Sequence, residues 1–160
     1  LERTGNTVQL TVDGKTSFLS LEQPEGVTPK QRGTTGLYHF AILLPTVKDL
    51  ANIVVHLVKH DIRFGASDHL VSEALYLADP DGNEIEIYRD RPASEWTWRG
   101  EQVDMTTIQL NFERLLKHAT PNEPWDKMPS DAVMGHIHLH VADLKSTEKF
   151  YVDGLGMDVD

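Results

Sequence analysis

The chain has 160 residues, of which 39% are hydrophobic and 25% charged, the composition of an ordinary globular protein. Its 25 acidic and 15 basic side chains give a formal net charge of −10. That charge repels phosphate backbones and anionic lipid, so we expect neither nucleic acid nor a membrane as a partner. The absence of cysteine excludes disulfides and thiol nucleophiles. With no apolar run near the ~18 residues that span a bilayer, the sequence predicts a cytoplasmic protein.

The first 33 residues predict a hairpin and a linker. Val8–Val12 alternates apolar and polar side chains as a half-buried strand does, and Phe18–Leu21 is expected to return beside it. Asp13-Gly14 supplies the turn between them. Glu22–Gly33 is rich in proline, glycine and charge, which predicts a connection between two units of structure.

Residues 34–92 predict one complete β-α-β-β-β unit. Apolar side chains recur at helical spacing in its second element, and Asp79–Asn83 is a strong turn signal between its last two strands. Gly65–His69 is expected to form a loop. The predicted elements are strand Leu37–Leu44, helix Asp49–Lys59 and strands Ile62–Phe64, Glu73–Ala78 and Glu84–Tyr88.

The remaining residues predict a connector and the beginning of another unit. The connector is expected to contain one short helix, and the new unit follows the same order of elements as before. The predicted elements are helix Phe112–His118, strand Gly135–Val141, helix Leu144–Tyr151 and a further strand from Met157.

Two stretches of the chain repeat. In each, a strand with histidine near its start is followed by Asp-Leu at the opening of a helix, Asp49-Leu50 and Asp143-Leu144. Aspartate there is a good N-cap, because its carboxylate accepts from free amides of the first turn. The sequence therefore predicts an α+β fold of repeated β-α-β-β-β modules, as in a fragment of a longer protein. The expected parts are the end of a first module with its linker (1–33), a complete second module (34–92), a connector (93–133) and the start of a third module (134–160).

His39 and Glu86 are the first candidates for chemistry. His39 lies near the start of a strand, where a histidine can be either a hydrogen-bonded core residue or a metal ligand. Glu86 shares one face of its strand with Glu84 and Tyr88, and a carboxylate that faces into a sheet needs a cation. The alternative is a strand whose polar face is simply solvated.

Four more histidines are candidates. His136, His138 and His140 alternate along one strand and therefore share a face, from which at most two could bind the same ion. Surface or supporting roles are the expectation for His138 and His140. His69 lies in the loop beside the expected site, where it can be an acid/base catalyst or an ordinary loop histidine.

Two motifs resemble the vicinal oxygen chelate superfamily, which includes glyoxalases, extradiol ring-cleaving dioxygenases and bleomycin- or fosfomycin-resistance proteins. The first is a strand and helix opening, and the second is a turn that leads into a last strand. The carrying residues are Gly135-His136, Val141-Ala142-Asp143-Leu144, Phe150-Tyr151 and Leu155-Gly156-Met157 for the first motif, and Asp79–Glu86 for the second. More narrowly, Gly36–Pro45, Val71–Tyr76 and Gly135–His140 are similar to bacillus-type catechol-2,3-dioxygenases. This resemblance implies a curved mixed sheet around a metal cup, in a protein of four modules.

The resemblance also implies a ligand set and a reaction. His39 and His136 fall on the first-strand ligand position of the family, and Glu86 falls on its last-strand carboxylate position. Two histidines and one carboxylate leave positions open on Fe(II), the metal that we expect, with Mn, Ni and Zn as alternatives. The implied enzyme is an extradiol dioxygenase that opens small aromatic diols with O₂. From its place in the loop beside the site we take His69 as the candidate catalytic residue, and we expect a homo-oligomer.

Other arrangements and functions remain open. In many extradiol enzymes all ligands come from modules three and four, which would place the partners of His136 beyond Asp160 and leave His39 and Glu86 without metal. Phe18 also stands where the first module would carry its acid. We prefer a site shared by the second and third modules. The alternative functions are a glyoxalase-like lyase or isomerase and a metal-free drug-binding module, although the pair of His39 and Glu86 counts against the latter.

Overall fold

The computed structural model describes residues 2–31, 33–120, 122–123 and 125–159, and it has the predicted α+β composition. Its helices are α1 (Val47–Lys59), α2 (Phe112–Leu116) and α3 (Leu144–Lys149), with a 3₁₀ turn at Ala93–Glu95 and a π-helical turn at Phe150–Gly154. Its strands are β1 (Glu2–Thr4), β2 (Thr7–Leu10), β3 (Leu19–Glu22), β4 (Gly36–Leu43), β5 (Gly65–Asp68), β6 (Ser72–Ala78), β7 (Glu84–Asp90), β8 (Trp98–Arg99), β9 (Gln102–Val103) and β10 (Val133–His140).

The largest sheet has the order β10-β4-β7-β6-β5. Strands β4 and β7 run parallel, and the other neighbours in this sheet are antiparallel. Four of its strands come from residues 34–92, and β10 adds the fifth strand along the edge of β4. Strands β1–β3 form a separate antiparallel sheet, and β8 pairs with β9.

Helix α1 covers one face of the largest sheet. Its apolar stripe packs against alternate residues of the strands beneath it, because successive side chains of a strand point to opposite faces. The other face of the same strands is therefore free to carry polar groups. The buried cluster includes Leu50, Ile53, Val54 and Leu57 from α1 with Ile42, Leu75 and Ile87 from the strands.

The N-cap prediction is correct for α3 and wrong for α1. Asp143 accepts a hydrogen bond from the amide of Ser146 at 2.8 Å and caps α3. In α1 the hydroxyl of Thr46 accepts from the amide of Asp49 at 3.1 Å, so the helix begins at Val47. Thr46 therefore satisfies the amide that an N-cap normally serves, and Asp49 lies inside the first turn.

Two strand predictions are also wrong. The strand expected at Ile62–Phe64 lies instead at 65–68, because Gly65–Asp68 forms the antiparallel ladder with β6. Residues 157–159 have no regular structure. A strand needs a hydrogen-bonding neighbour, and in the described part of the chain none pairs with them. No helix of the described residues is long and apolar enough to cross a bilayer.

Candidate metal centre

Two histidines and one glutamate meet on the face of the largest sheet that α1 does not cover. Nε2 of His39 lies 3.0 Å from Oε2 of Glu86 and 3.2 Å from Nε2 of His136. Nε2 of His136 lies 3.2 Å from the same oxygen of Glu86. The three atoms form a nearly equilateral triangle, and the three residues are a group that could hold one metal ion.

The register of three strands brings these side chains together. Ala41 of β4 lies opposite Glu86 of β7 and opposite His136 of β10. Cross-strand partners point to the same face of a sheet, and His39 points there too, because it lies two residues before Ala41. The small side chain of Ala41 leaves the longer side chains of its neighbours room to converge.

The spacing and the donor atoms of the triangle fit a metal ion. Bonds of about 2.1 Å at right angles place neighbouring ligand atoms about 3.0 Å apart, close to the observed 3.0 and 3.2 Å. Imidazole and carboxylate together suit Fe, Mn, Ni and Zn. His39 and Glu86 are 6% and 5% exposed, whereas His136 is exposed, so solvent reaches the triangle from the side of β10.

The electrostatics of the buried residues His39 and Glu86 also favour a bound cation. Burial lowers the pKa of His39, although the negative charge of Glu86 acts in the opposite direction. The lowered pKa favours the neutral imidazole of His39, the form that can bind a metal through a ring nitrogen. A neutral imidazole does not balance the charge of the desolvated carboxylate of Glu86, and a bound cation would.

His69 does not touch the triangle but contacts Tyr76, whose ring centroid lies 6.2 Å from that of His39. Nε2 of His69 lies 2.9 Å from Oη of Tyr76, and Tyr76 of β6 lies opposite Glu86 of β7. Nδ1 of His69 lies 3.3 Å from Oγ1 of Thr107 in the connector. Burial, followed by the negative charge of Glu86, raises the pKa of Tyr76, so its phenol stays protonated at neutral pH.

Tyr76 is the functional candidate that sequence reasoning missed. It lies directly opposite Glu86 in the hairpin of β6 and β7. The signal was present in the sequence, because the predicted turn at 79–83 is centred on Asp81, and a hairpin symmetrical about Asp81 pairs Tyr76 with Glu86. Aromatic residues are common in strands, so the residue type alone gave no indication of a role.

His138 and His140 lie outside the triangle. The ring of His140 stacks on Tyr38 with centroids 4.2 Å apart, and the ring of His138 meets the same tyrosine edge-on at 4.8 Å. Both histidines are exposed on the edge strand β10. The expectation of surface or supporting positions for these two residues agrees with where they lie.

Tyr88 borders the triangle beside His136, with ring centroids 5.3 Å apart. Burial, followed by the charges of Asp90 and Glu86, raises the pKa of Tyr88 to about 12. The ring of Tyr88 occupies the space that a side chain at position 135 would need, and residue 135 is glycine. The pairing of β10 with β4 shifts its register between Met134 and His136, around this glycine.

Comparisons with known proteins agree with this fold. A family model described as the glyoxalase/bleomycin resistance protein/dioxygenase superfamily matches residues 3–87. The chain is 49% identical over 161 residues to a protein of Bacillus subtilis (strain 168) named catechol-2,3-dioxygenase. That alignment covers 99% of this chain and 56% of the relative, so the chain spans little more than half of the relative's length. No solved structure matches the chain.

Proposed function

The chain belongs to the glyoxalase/bleomycin resistance protein/dioxygenase superfamily, and from this premise we propose that it is part of an extradiol dioxygenase. The proposed reaction opens the ring of a catechol-type diol beside its hydroxyl groups. Both atoms of O₂ enter the product, so catechol and O₂ balance the reaction without a further reductant. The observation that carries the proposal is the triangle of His39, Glu86 and His136, supported by the 49% identity to the named dioxygenase.

We propose His39, Glu86 and His136 as the metal ligands and Fe(II) as the metal. The bound metal would supply a Lewis acid and one-electron redox chemistry for O₂, which organic side chains lack. Two imidazoles and one carboxylate leave coordination positions open for small ligands. The exposed side of the triangle at His136 is where a diol and O₂ would enter.

We propose that His69 and Tyr76 transfer protons beside the metal. The phenol of Tyr76 contacts Nε2 of His69, and its raised pKa keeps it a hydrogen-bond donor. The imidazole of His69 can hold a proton at Nε2 or at Nδ1 and is the proposed acid/base residue. Its protons would move by way of the Tyr76 hydroxyl, which contacts His69 and belongs to the residue opposite Glu86 in the hairpin.

Oxygen uptake tests this function. Protein that contains this chain is loaded with Fe(II) without air, and catechol is added in the presence of O₂. We expect oxygen consumption together with a yellow ring-fission product. Turnover of methylglyoxal–thiol adducts without any yellow product would contradict the proposal and would favour the glyoxalase-like alternative. Binding of bleomycin-like compounds without metal or turnover would favour a drug-binding module.

The division of the chain into modules is also a proposal. We propose the division into residues 1–33, 34–92, 93–133 and 134–160 as successive parts of β-α-β-β-β modules, with the metal site shared by the second and third. A homo-oligomer in the cytoplasm stays a prediction. Size-exclusion chromatography with light scattering measures the oligomeric state.

A further inference from the structure

A cluster of buried charges lies next to His69, and the proposed reaction does not use it. Its centre is the pair of Asp68 and Arg91, which are 6% and 8% exposed. Arg91 binds both oxygens of Asp68 through two hydrogen bonds of 2.7 Å. Such a two-point pair fixes the orientation of both groups as well as their distance.

Glu73 extends the cluster and is 1% exposed. It accepts a hydrogen bond of 3.0 Å from Arg91 and one of 2.8 Å from Arg89. Arg114 of α2 contacts Glu73 and lies 3.5 Å from an oxygen of Asp68. Two carboxylates are thus surrounded by three guanidinium groups, so the carboxylate charges are fully compensated.

Asp68 and Arg91 both hydrogen bond to the turn that carries His69. The second hydrogen bond of Asp68 Oδ1 comes from the amide of Leu70 at 2.9 Å. Leu70 has φ of 69°, in the left-handed region that a leucine rarely adopts. The amide of Arg91 donates to the carbonyl of Val71 at 2.7 Å, so Arg91 holds the turn by its backbone and by its side chain.

The same turn is tied to the connector. Asp68 and Ile108 exchange two backbone hydrogen bonds of 2.9 Å. The residue before Ile108 is Thr107, whose hydroxyl lies 3.3 Å from Nδ1 of His69. Asp68 therefore connects the turn that carries His69 to the segment whose hydroxyl faces its ring.

We propose that Asp68 and Arg91 are positioning residues that hold the imidazole of His69 between Thr107 and Tyr76. This inference rests on the proposed role of His69. The pair fixes a strained turn in one conformation, and His69 is the residue of that turn whose side chain points to the metal side. A buried ion pair adds little net stability over apolar residues of the same size, so stability alone does not account for its presence.

The first arm of the test observes His69 directly. The imidazole ¹⁵N signals of His69 are assigned with a His69→Gln variant and are compared between the wild-type protein and Asp68→Asn. We expect a single tautomer in the wild type, and a shift toward averaged, broadened signals in Asp68→Asn. Arg89→Gln is the matched control, because it removes a cation from Glu73 and leaves the pair of Asp68 and Arg91 intact.

The second arm measures ring cleavage by the iron-loaded protein. Loss of orientation costs up to about 100-fold in rate, so we expect Asp68→Asn to lower kcat about 10- to 100-fold, while KM for catechol changes less than about twofold. Metal content should stay at the wild-type level. Arg91→Lys keeps the charge but loses the two-point geometry, and it should change kcat and the His69 signals in the same direction. If Asp68→Asn does not fold, Arg91→Lys is used for the test in its place.

The two arms separate the possible failures. Unchanged His69 signals and unchanged kcat in variants that are only less stable would overturn the positioning role. Altered His69 signals in a protein whose wild-type form does not cleave catechol would support the positioning role and contradict the dioxygenase function. A response of Arg89→Gln equal to that of Asp68→Asn would assign the effect to the charge cluster in general and would also overturn the proposal.

Discussion

The ring of Tyr88 lies directly against the backbone of Gly135, next to His136. A Cβ atom at Gly135 would lie 2.7 Å from Cε1 and 2.8 Å from Cζ of that ring, which is closer than real contacts allow. A side chain at residue 135 would therefore require the ring of Tyr88 or strand β10 to shift, next to His136 of the triangle.

We expect Gly135→Ala to weaken metal binding. The added methyl group forces Tyr88 or β10 to move, and His136 is the next residue along that strand. Overpacking of this kind costs about 1–3 kcal/mol in stability, and displacement of a ligand should lower metal affinity by about tenfold or more. Metal titration measures the effect. Gly154→Ala is the control, since its Cβ would meet Phe150 at an ordinary 3.8 Å; equal affinities in the two variants would contradict the expectation.

Tyr76→Phe should separate metal binding from turnover. The change removes the hydroxyl that contacts His69 and leaves the ring in place. Groups that support ligands contribute about 10–100-fold to activity. We expect kcat to fall by that factor while metal content stays complete. A variant that keeps full kcat would show that the hydroxyl has no part in the reaction.

Asp68→Asn should make the free energy of unfolding less dependent on pH in the acidic range. Burial alone would raise the pKa of Asp68, but hydrogen bonds from Arg91 and from the Leu70 amide outweigh burial and lower it below its ordinary value. The pKa is about 3.9 in an unfolded chain, so Asp68 contributes stability that is complete above about pH 5 and is lost as pH falls through the lower, folded-state pKa.

Urea unfolding at several pH values measures this contribution. Breaking a buried pair costs about 3–5 kcal/mol, so Asp68→Asn should lower the free energy of unfolding by about that amount at pH 7. The difference between the two proteins should shrink when the pH falls well below 4. Parallel stability curves from neutral to strongly acidic pH would be inconsistent with an ionised, paired Asp68.

Thr46→Ala should destabilise α1. The Thr46 hydroxyl accepts from the amide of Asp49, and loss of such a cap costs about 1 kcal/mol. Thermal unfolding measures the loss, and Thr46→Ser serves as the control because it keeps the hydroxyl. If the serine variant lost as much stability as the alanine variant, the methyl group of threonine and not the cap would be responsible.

Much of the site could be predicted from local pattern. Period-two alternation predicted which face of its strand Glu86 occupies, and the repeat of strand, histidine and Asp-Leu predicted His39 and His136 as equivalent positions. The pattern could not show that β10 pairs with β4, because the pairing of strands distant in sequence depends on packing of the whole sheet. Only this pairing places His136 3.2 Å from Glu86.

The cluster of buried charges around Glu73 could not be predicted from local sequence pattern. Glu73 was predicted to open a strand, and a glutamate at that position is ordinarily exposed. Its cations Arg91 and Arg114 lie 18 and 41 residues further along the chain. The strand at 65–68 was missed for a related reason, since Gly65–Asp68 has no apolar alternation and becomes a strand by pairing with β6.

The metal content of His39→Ala and Glu86→Ala tests the central claim most directly. Glu84→Ala, at the exposed end of the same strand, and His140→Ala, stacked on Tyr38, are matched controls outside the triangle. The protein is loaded with Fe(II) without air, and bound metal is measured after removal of the excess. We predict that His39→Ala and Glu86→Ala lose bound metal while both controls keep it. Full metal content in His39→Ala and in Glu86→Ala would contradict a site formed by His39, Glu86 and His136.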